Sequence, residues 1–173
     1  QNNNSVTLND ITAPTMTIAA LDESDNIIPG GSITNDESLY LSFTISEPTS
    51  DFTSDDVLVS GGSISSFFGS GSIYTAILTP SSDGPVIVDI ADGTFTDATG
   101  NGNSDFGPFN WTYDGTLPTI INVSLASNNS SIAVTFSEAV YSTSSGSGSL
   151  ETSDFTFSIS GGTGALSSST PTS

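Results

Sequence analysis

The chain reads as all-β: a β-sandwich of about seven strands, followed by the beginning of a second. Apolar residues recur with period two in short runs, Gly-rich or Asp-Gly turns separate those runs, and no window carries the period of a long amphipathic helix. Alternation of this kind gives each strand one apolar face to bury and one polar face for solvent.

Taken in order, Met16 and Ile18 alternate with Thr15 and Thr17. Leu39, Leu41, Phe43 and Ile45 alternate with Tyr40, Ser42, Thr44 and Ser46, the clearest half-buried strand in the chain. Further strands are predicted over 57–59, 63–68, 73–79, 86–91 and 109–113. Gly61-Gly62, the glycines at 69 and 71, Asp83-Gly84 and Asp92-Gly93 punctuate them. After Asp114-Gly115-Thr116-Leu117-Pro118 the pattern resumes over 120–125, 132–136 and 155–159.

The chain also repeats itself. Ile11-Thr12-Ala13-Pro14-Thr15 after Asp10 parallels Gly115-Thr116-Leu117-Pro118-Thr119 after Asp114. Phe43-Thr44-Ile45-Ser46-Glu47 parallels Val134-Thr135-Phe136-Ser137-Glu138, and Ser60-Gly61-Gly62 parallels Ser160-Gly161-Gly162. A period near 100 residues with a Pro-containing junction reads as tandem beads. The expected division is an N-terminal extension over 1–10, one sandwich over 11–116 and a partial second over 117–173. The second bead lacks its later strands. Either the chain is part of a longer repeat protein or a neighbouring chain donates the missing strands, since a half sandwich leaves edges bare.

Composition excludes whole chemistries. The 173 residues include no Lys, Arg, His or Cys but 19 Asp and Glu, for a formal charge of −19. Nucleic acid and anionic membrane surfaces are rejected as partners, because both need basic side chains. No segment is apolar enough to span a bilayer. Nucleophilic catalysis has no imidazole to serve as base, and zinc, copper and iron lack their usual His or Cys ligands. Calcium stays open, since it takes oxygen alone. Glycoside hydrolysis by two carboxylates is the weakest reading, with no Arg or His to position a substrate. Extreme acidity with abundant Ser, Thr, Asn and Gly points to an extracellular, salt-exposed setting, where screening relieves self-repulsion.

Three stretches resemble the bacterial Ig-like repeats of large surface adhesins and other giant extracellular proteins. They are Ala13-Pro14-Thr15 after Asp10; Gly93-Thr94-Phe95-Thr96-Asp97-Ala98-Thr99-Gly100-Asn101-Gly102-Asn103; and residues 109–119, with Trp111, Asp114 and Pro118. The resemblance covers residues 11–116, and the second bead is similar to a related Ig-like type. It implies tandem immunoglobulin-like β-sandwiches, the second incomplete, serving as non-catalytic spacers or adhesive modules. It also implies calcium near the junctions, and neighbouring repeats or copies of the chain as partners.

Strand parity locates the carboxylates. If the first strand runs away from the N-terminal pole, the strand over 39–46 returns there and delivers Glu47. The strand over 86–91 runs back to the same pole, and the loop over 92–105 caps it. Asp10, Glu47, Asp97 and Asn101 should therefore converge, and the next junction should repeat the arrangement with Asp114 and Glu138. Converging oxygens with no base available suit calcium. The competing reading is that these Asp and Asn residues only form turns. Trp111, Phe109 and Tyr113 are expected in the core or at the junction rather than as a sugar platform, and Phe67-Phe68 near a turn is the better candidate for an exposed contact. Thr and Ser rows leave a glycan- or ice-binding module as an alternative function, beside a fibre subunit completed by strand donation.

Overall fold

In the computed structural model the described residues are 9–128, 130–143, 147–156, 158 and 160. The chain divides into two compact units, Gln1–Thr116 and Leu117–Ser173. Unit 1 contains β1 (Met16–Leu21), β2 (Ile33–Thr34), β3 (Leu39–Thr49), β4 (Leu58–Ser60), β5 (Gly62–Pro80), β6 (Gly84–Asp89) and β7 (Phe109–Tyr113). Unit 2 contains β8 (Ile120–Leu125) and β9 (Ile132–Phe136). The helical content of the described residues is two single 3-10 turns, Ser54–Asp56 and Thr152–Asp154. The chain is all-β, as its alternation demands.

Unit 1 is a two-layer sandwich. One sheet has the order β1-β3-β5 and the other β2-β7-β6-β4. The antiparallel register places Met16 opposite Ile45, Ile18 opposite Phe43 and Ala20 opposite Leu41, so alternate residues of both strands face inward together. Across the other edge of β3, Leu41 lies opposite Ala76 and Phe43 opposite Tyr74. Val86 and Val88 of β6 and Trp111 of β7 supply the facing layer, each at most 1 % exposed. Phe52 lies among Phe43, Phe67, Tyr74 and Phe95, with centroid distances of 5.0–5.7 Å, mostly edge-on. That geometry opposes ring edges to ring faces and adds to simple burial.

Two expected strands, 63–68 and 73–79, are the arms of one element. β5 doubles back: Ser81 N donates to Gly61 O at 2.9 Å, and a side chain on Gly69 would sit 2.4 Å from Ile73 O. Only glycine permits that approach, and Gly69 also has φ +148°. β2 carried no local signal. It is two residues long and parallel to β7, and Trp111 Nε1 donates to Thr34 Oγ1 at 3.0 Å beside it. In unit 2, β8 pairs antiparallel with β9. Phe157 and Ile159, on which the last expected strand depends, lie outside the described residues.

Candidate functional site

The N-terminal pole of unit 1 is assembled from three parts of the chain that strand direction alone brings together. Thr15 N donates to Ser46 Oγ at 2.9 Å and Ser46 N to Thr15 O at 2.8 Å, which sets Glu47 beside the segment entering β1. Ser104 N donates to Pro14 O at 3.0 Å, attaching the loop after β6 to the same segment. A bridge between Thr49 and Asp97 attaches that loop to β3. As a result, one carboxylate oxygen from each of Asp10, Glu47 and Asp97 lies within 4.8 Å of the others.

Asn101 belongs to this group through its amide. Its Nδ2 donates to Asp97 Oδ2 at 2.8 Å and to the Asp10 carbonyl at 3.2 Å. Asp97 is also the hub of a five-residue turn: its Oδ1 accepts Thr99 N and Asn101 N, both at 2.8 Å, and Gly100 holds φ +92°. The same turn occurs at Asp22–Asn26, where Ser24 N and Asn26 N both donate to Asp22 Oδ1 at 2.8 Å. Turn formation and acidic clustering therefore coexist at Asp97. The first reading does not displace the second.

Electrostatics separates Asp97 from Glu47. Burial pushes the Asp97 carboxyl up, but the donors of Asn101 and Thr99 outweigh it and bring it down to about 2. Glu47 moves the other way: burial raises it first, then the charges of Asp10 and Asp97 and a hydrogen bond with Asp10. Asp97 is thus an obligate anion facing a Glu47 that ionises reluctantly. With no Lys, Arg or His in the chain, nothing internal neutralises the cluster. A carboxylate offers about four acceptor sites, so Asp97 is close to saturated and Asp10 and Glu47 are the more open ligands. A calcium ion at about 2.4 Å from each ligand keeps any two oxygens within about 4.8 Å, so the donor type and spacing fit that ion.

Asp114 and Glu138 fall in different units: Asp114 in unit 1, where its N–H donates to Thr34 O at 2.9 Å, and Glu138 in unit 2. Glu138 Oε1 is buried and has no hydrogen-bond partner among the described residues. Trp111 and Phe109 lie in the core, which removes them as a sugar platform. Of the Phe67-Phe68 pair, Phe67 packs on the core and Phe68 is 79 % exposed.

Asn103 and Tyr74 of the pole were not singled out from sequence, whereas the loop carrying Asp51 was expected there from strand direction. Asn103 is 5 % exposed; its Oδ1 accepts Phe95 N at 3.0 Å and its Nδ2 donates to Ala91 O at 2.9 Å, pinning the loop that carries Asp97. Asp51 accepts Thr96 N at 3.0 Å and the hydroxyls of Thr49 and Thr96. Burial pushes it up, yet these donors outweigh the effect and hold it below its ordinary value. Tyr74 OH donates to Thr49 O at 3.1 Å beneath it, and burial followed by the Asp51 charge raises the phenol.

Comparison with curated proteins and with solved structures gave no match. The family profile described as the bacterial Ig-like domain matches residues 10–111, more than half of the chain and nearly all of unit 1. Asp10, Glu47, Asp97 and Asn101 all lie within the matched span. The chain belongs to the bacterial Ig-like domain family.

Proposed function

We propose that this chain is a structural repeat module of a bacterial extracellular or cell-surface protein, stiffened by calcium at the N-terminal pole of unit 1. The family is typically non-enzymatic and commonly surface-exposed. Among the described residues no helix is long and apolar enough to cross a membrane. The observation that carries the calcium reading is the convergence of Asp10, Glu47 and Asp97 within 4.8 Å in a chain with no basic side chain.

The role of the ion is mechanical. Asp10 precedes β1, Glu47 lies near the end of β3, and Asp97 sits in the loop after β6. One cation shared by the three joins the incoming chain to both layers of the sandwich and cancels their mutual repulsion. The segment before β1 then holds a fixed direction, which sets the reach of a string of such modules. Asp114 and Glu138 occupy the repeat-equivalent positions of Asp10 and Glu47 in the sequence.

Melting of the protein in calcium and in chelator, together with metal content by native mass spectrometry, tests the reading. A raised melting temperature with one ion bound per unit 1 supports it. An unchanged melting temperature with no bound metal sinks it.

A further inference from the structure

The loop that carries Asp97 contains the one Asn-Gly step of the chain, Asn101-Gly102. An Asn side-chain carbonyl can close a five-membered ring with the next backbone nitrogen, and a following glycine has no side chain to crowd the attack. The fold leaves that nitrogen free. Gly102 is bridged to Thr96, but the bonds beside it are made by its neighbours: Asp97 N to Asn101 O at 3.1 Å and Asn103 N to Phe95 O at 3.0 Å. In such a pair the middle N–H points away from its partner, and among the described residues Gly102 N donates to no acceptor. Asn101 Oδ1 likewise accepts no hydrogen bond, and both residues are only half-buried, open to water. Packing keeps the glycine in place, since a side chain there would meet Gly93 Cα at 3.2 Å.

Two residues on, the same chemistry is closed off. Ser104 N, the nitrogen that would attack Asn103, donates to Pro14 O at 3.0 Å. Asn103 is 5 % exposed, with its Oδ1 on Phe95 N and its Nδ2 on Ala91 O. One loop therefore holds a reactive amide and a protected one side by side.

We infer that Asn101 is a self-acting modification site whose product adds a carboxylate to the three that converge at the pole of unit 1. Gly102 N attacks Asn101 Cγ; the N–Cγ bond forms, the Cγ–Nδ2 bond breaks, and ammonia leaves with the amide proton of Gly102. Water then opens the cyclic imide. Opening at Cγ gives aspartate, and opening at the main-chain carbonyl gives isoaspartate. One water is consumed and one ammonia released, with no oxidant or cofactor. The exchange matters because Asn101 Nδ2 donates to Asp97 Oδ2 and Thr99 Oγ1 at 2.8 Å and to Asp10 O at 3.2 Å. A carboxylate donates nothing. It faces Asp97 as a like charge in a chain with no base, so the tie between the entering segment and the loop is lost and the metal-free pole loosens with age. The modification does not depend on the calcium reading.

The test holds the 173-residue protein in chelator at mildly alkaline pH for weeks and cuts it before aspartate, which releases residues 97–104 with Asn101 and Asn103 together. That peptide is expected to gain the mass that exchanges an amide for an acid, at Asn101 and not at Asn103. Part of it should also be newly cut before position 101, where aspartate has formed. The Trp111 melt of the aged protein in chelator should fall below that of fresh protein. Asn101→Gln aged alongside should keep its own starting value, because the longer side chain closes a ring far less readily. Retention of the Asn101 amide over the time in which urea-unfolded protein loses it overturns the inference, and so does conversion of Asn103 at the same rate. A converted protein that melts with the fresh one overturns the loosening of the pole. Calcium binding is measured on fresh protein, so the two readings fail separately.

Discussion

Glu47→Gln should move the stability of unit 1 in opposite directions with and without calcium. In the metal-free protein the Glu47 carboxyl is held above its ordinary 4.5, by burial first and then by the charges of Asp10 and Asp97. A folded-state pKa above the unfolded one means stability that is full below about pH 4.5 and lost as pH rises through the folded value. At pH 7 the glutamine removes a repulsion, so the metal-free melting temperature rises. Calcium reverses the balance, because the same carboxylate becomes a ligand. An ion present at about 100 times its Kd stabilises by about 2.7 kcal/mol. A unit of 116 residues unfolds with an entropy of about 0.24 kcal/mol/K, so the calcium increment is about 11 °C. A ligand loss that weakens binding about tenfold removes about 1.4 kcal/mol and cuts the increment to about 5 °C. Emission of Trp111, the single tryptophan and 1 % exposed in the core of unit 1, follows the melt. General loss of packing lowers both melting temperatures together. A metal-free melting temperature that falls, or a calcium increment left unchanged, refutes the proposed site.

Three further outcomes follow from the same geometry. Asn103→Ala leaves the Phe95 N–H buried without its acceptor and should cost about 1–3 kcal/mol, read as a drop of about 4–12 °C in the Trp111 melt; it should also weaken calcium binding, because the loop bearing Asp97 loses its anchor. Gly69→Ala places a side-chain carbon 2.4 Å from Ile73 O and 2.5 Å from Tyr74 Cα at a positive φ, so a loss of about 1–3 kcal/mol is expected by denaturant unfolding. The metal-free protein should be most stable in mild acid: protonating Glu47 near and above pH 4.5 relieves repulsion, whereas Asp97, lowered from 3.8 to about 2, loses its stabilising contribution only as pH falls from about 3.8 through that value. Melts from pH 7 to pH 2 in chelator read this directly, and calcium should shift the optimum toward neutrality.

How much of this was legible in the sequence depended on the range of the signal. β3 was unmistakable because Leu39, Leu41, Phe43 and Ile45 alternate with polar residues over a full strand. The convergence of Asp10, Glu47, Asp97 and Asn101 followed from counting strand reversals, which needs no side-chain detail. β2 was invisible, since Ile33–Thr34 are held by β7, more than seventy positions away. The paired arms of β5 were read as separate strands, because a Gly-Ser-Gly turn does not reveal whether its flanks face each other. Asn103 and the donors of Asp51 are harder still, though strand direction already put Asp51 at this pole. A buried Asn that accepts Phe95 N looks like any loop Asn, and the Thr96 donors to Asp51 lie 45 residues along the chain.

The absence of basic residues decides what these carboxylates can be. Elsewhere an Arg or Lys would neutralise a converging triad and fix its geometry; here only backbone N–H, amide and hydroxyl donors are available. The molecule uses them unevenly. Asp22, Asp51, Asp83 and Asp97 each gather neutral donors and are lowered, Asp83 by Thr116 Oγ1 and Gly115 N at the far end of unit 1. Glu47 alone among the carboxylic acids with a resolved shift is raised, by burial first and then by the charges of Asp10 and Asp97. Neutral donors therefore satisfy the charges that build turns and fix the linker. Glu47, raised where those acids are lowered, sits where the incoming chain meets both sheets. A cation bound there completes a pattern the rest of the domain achieves without metal, and its removal should loosen that pole while the core around Trp111 stays folded.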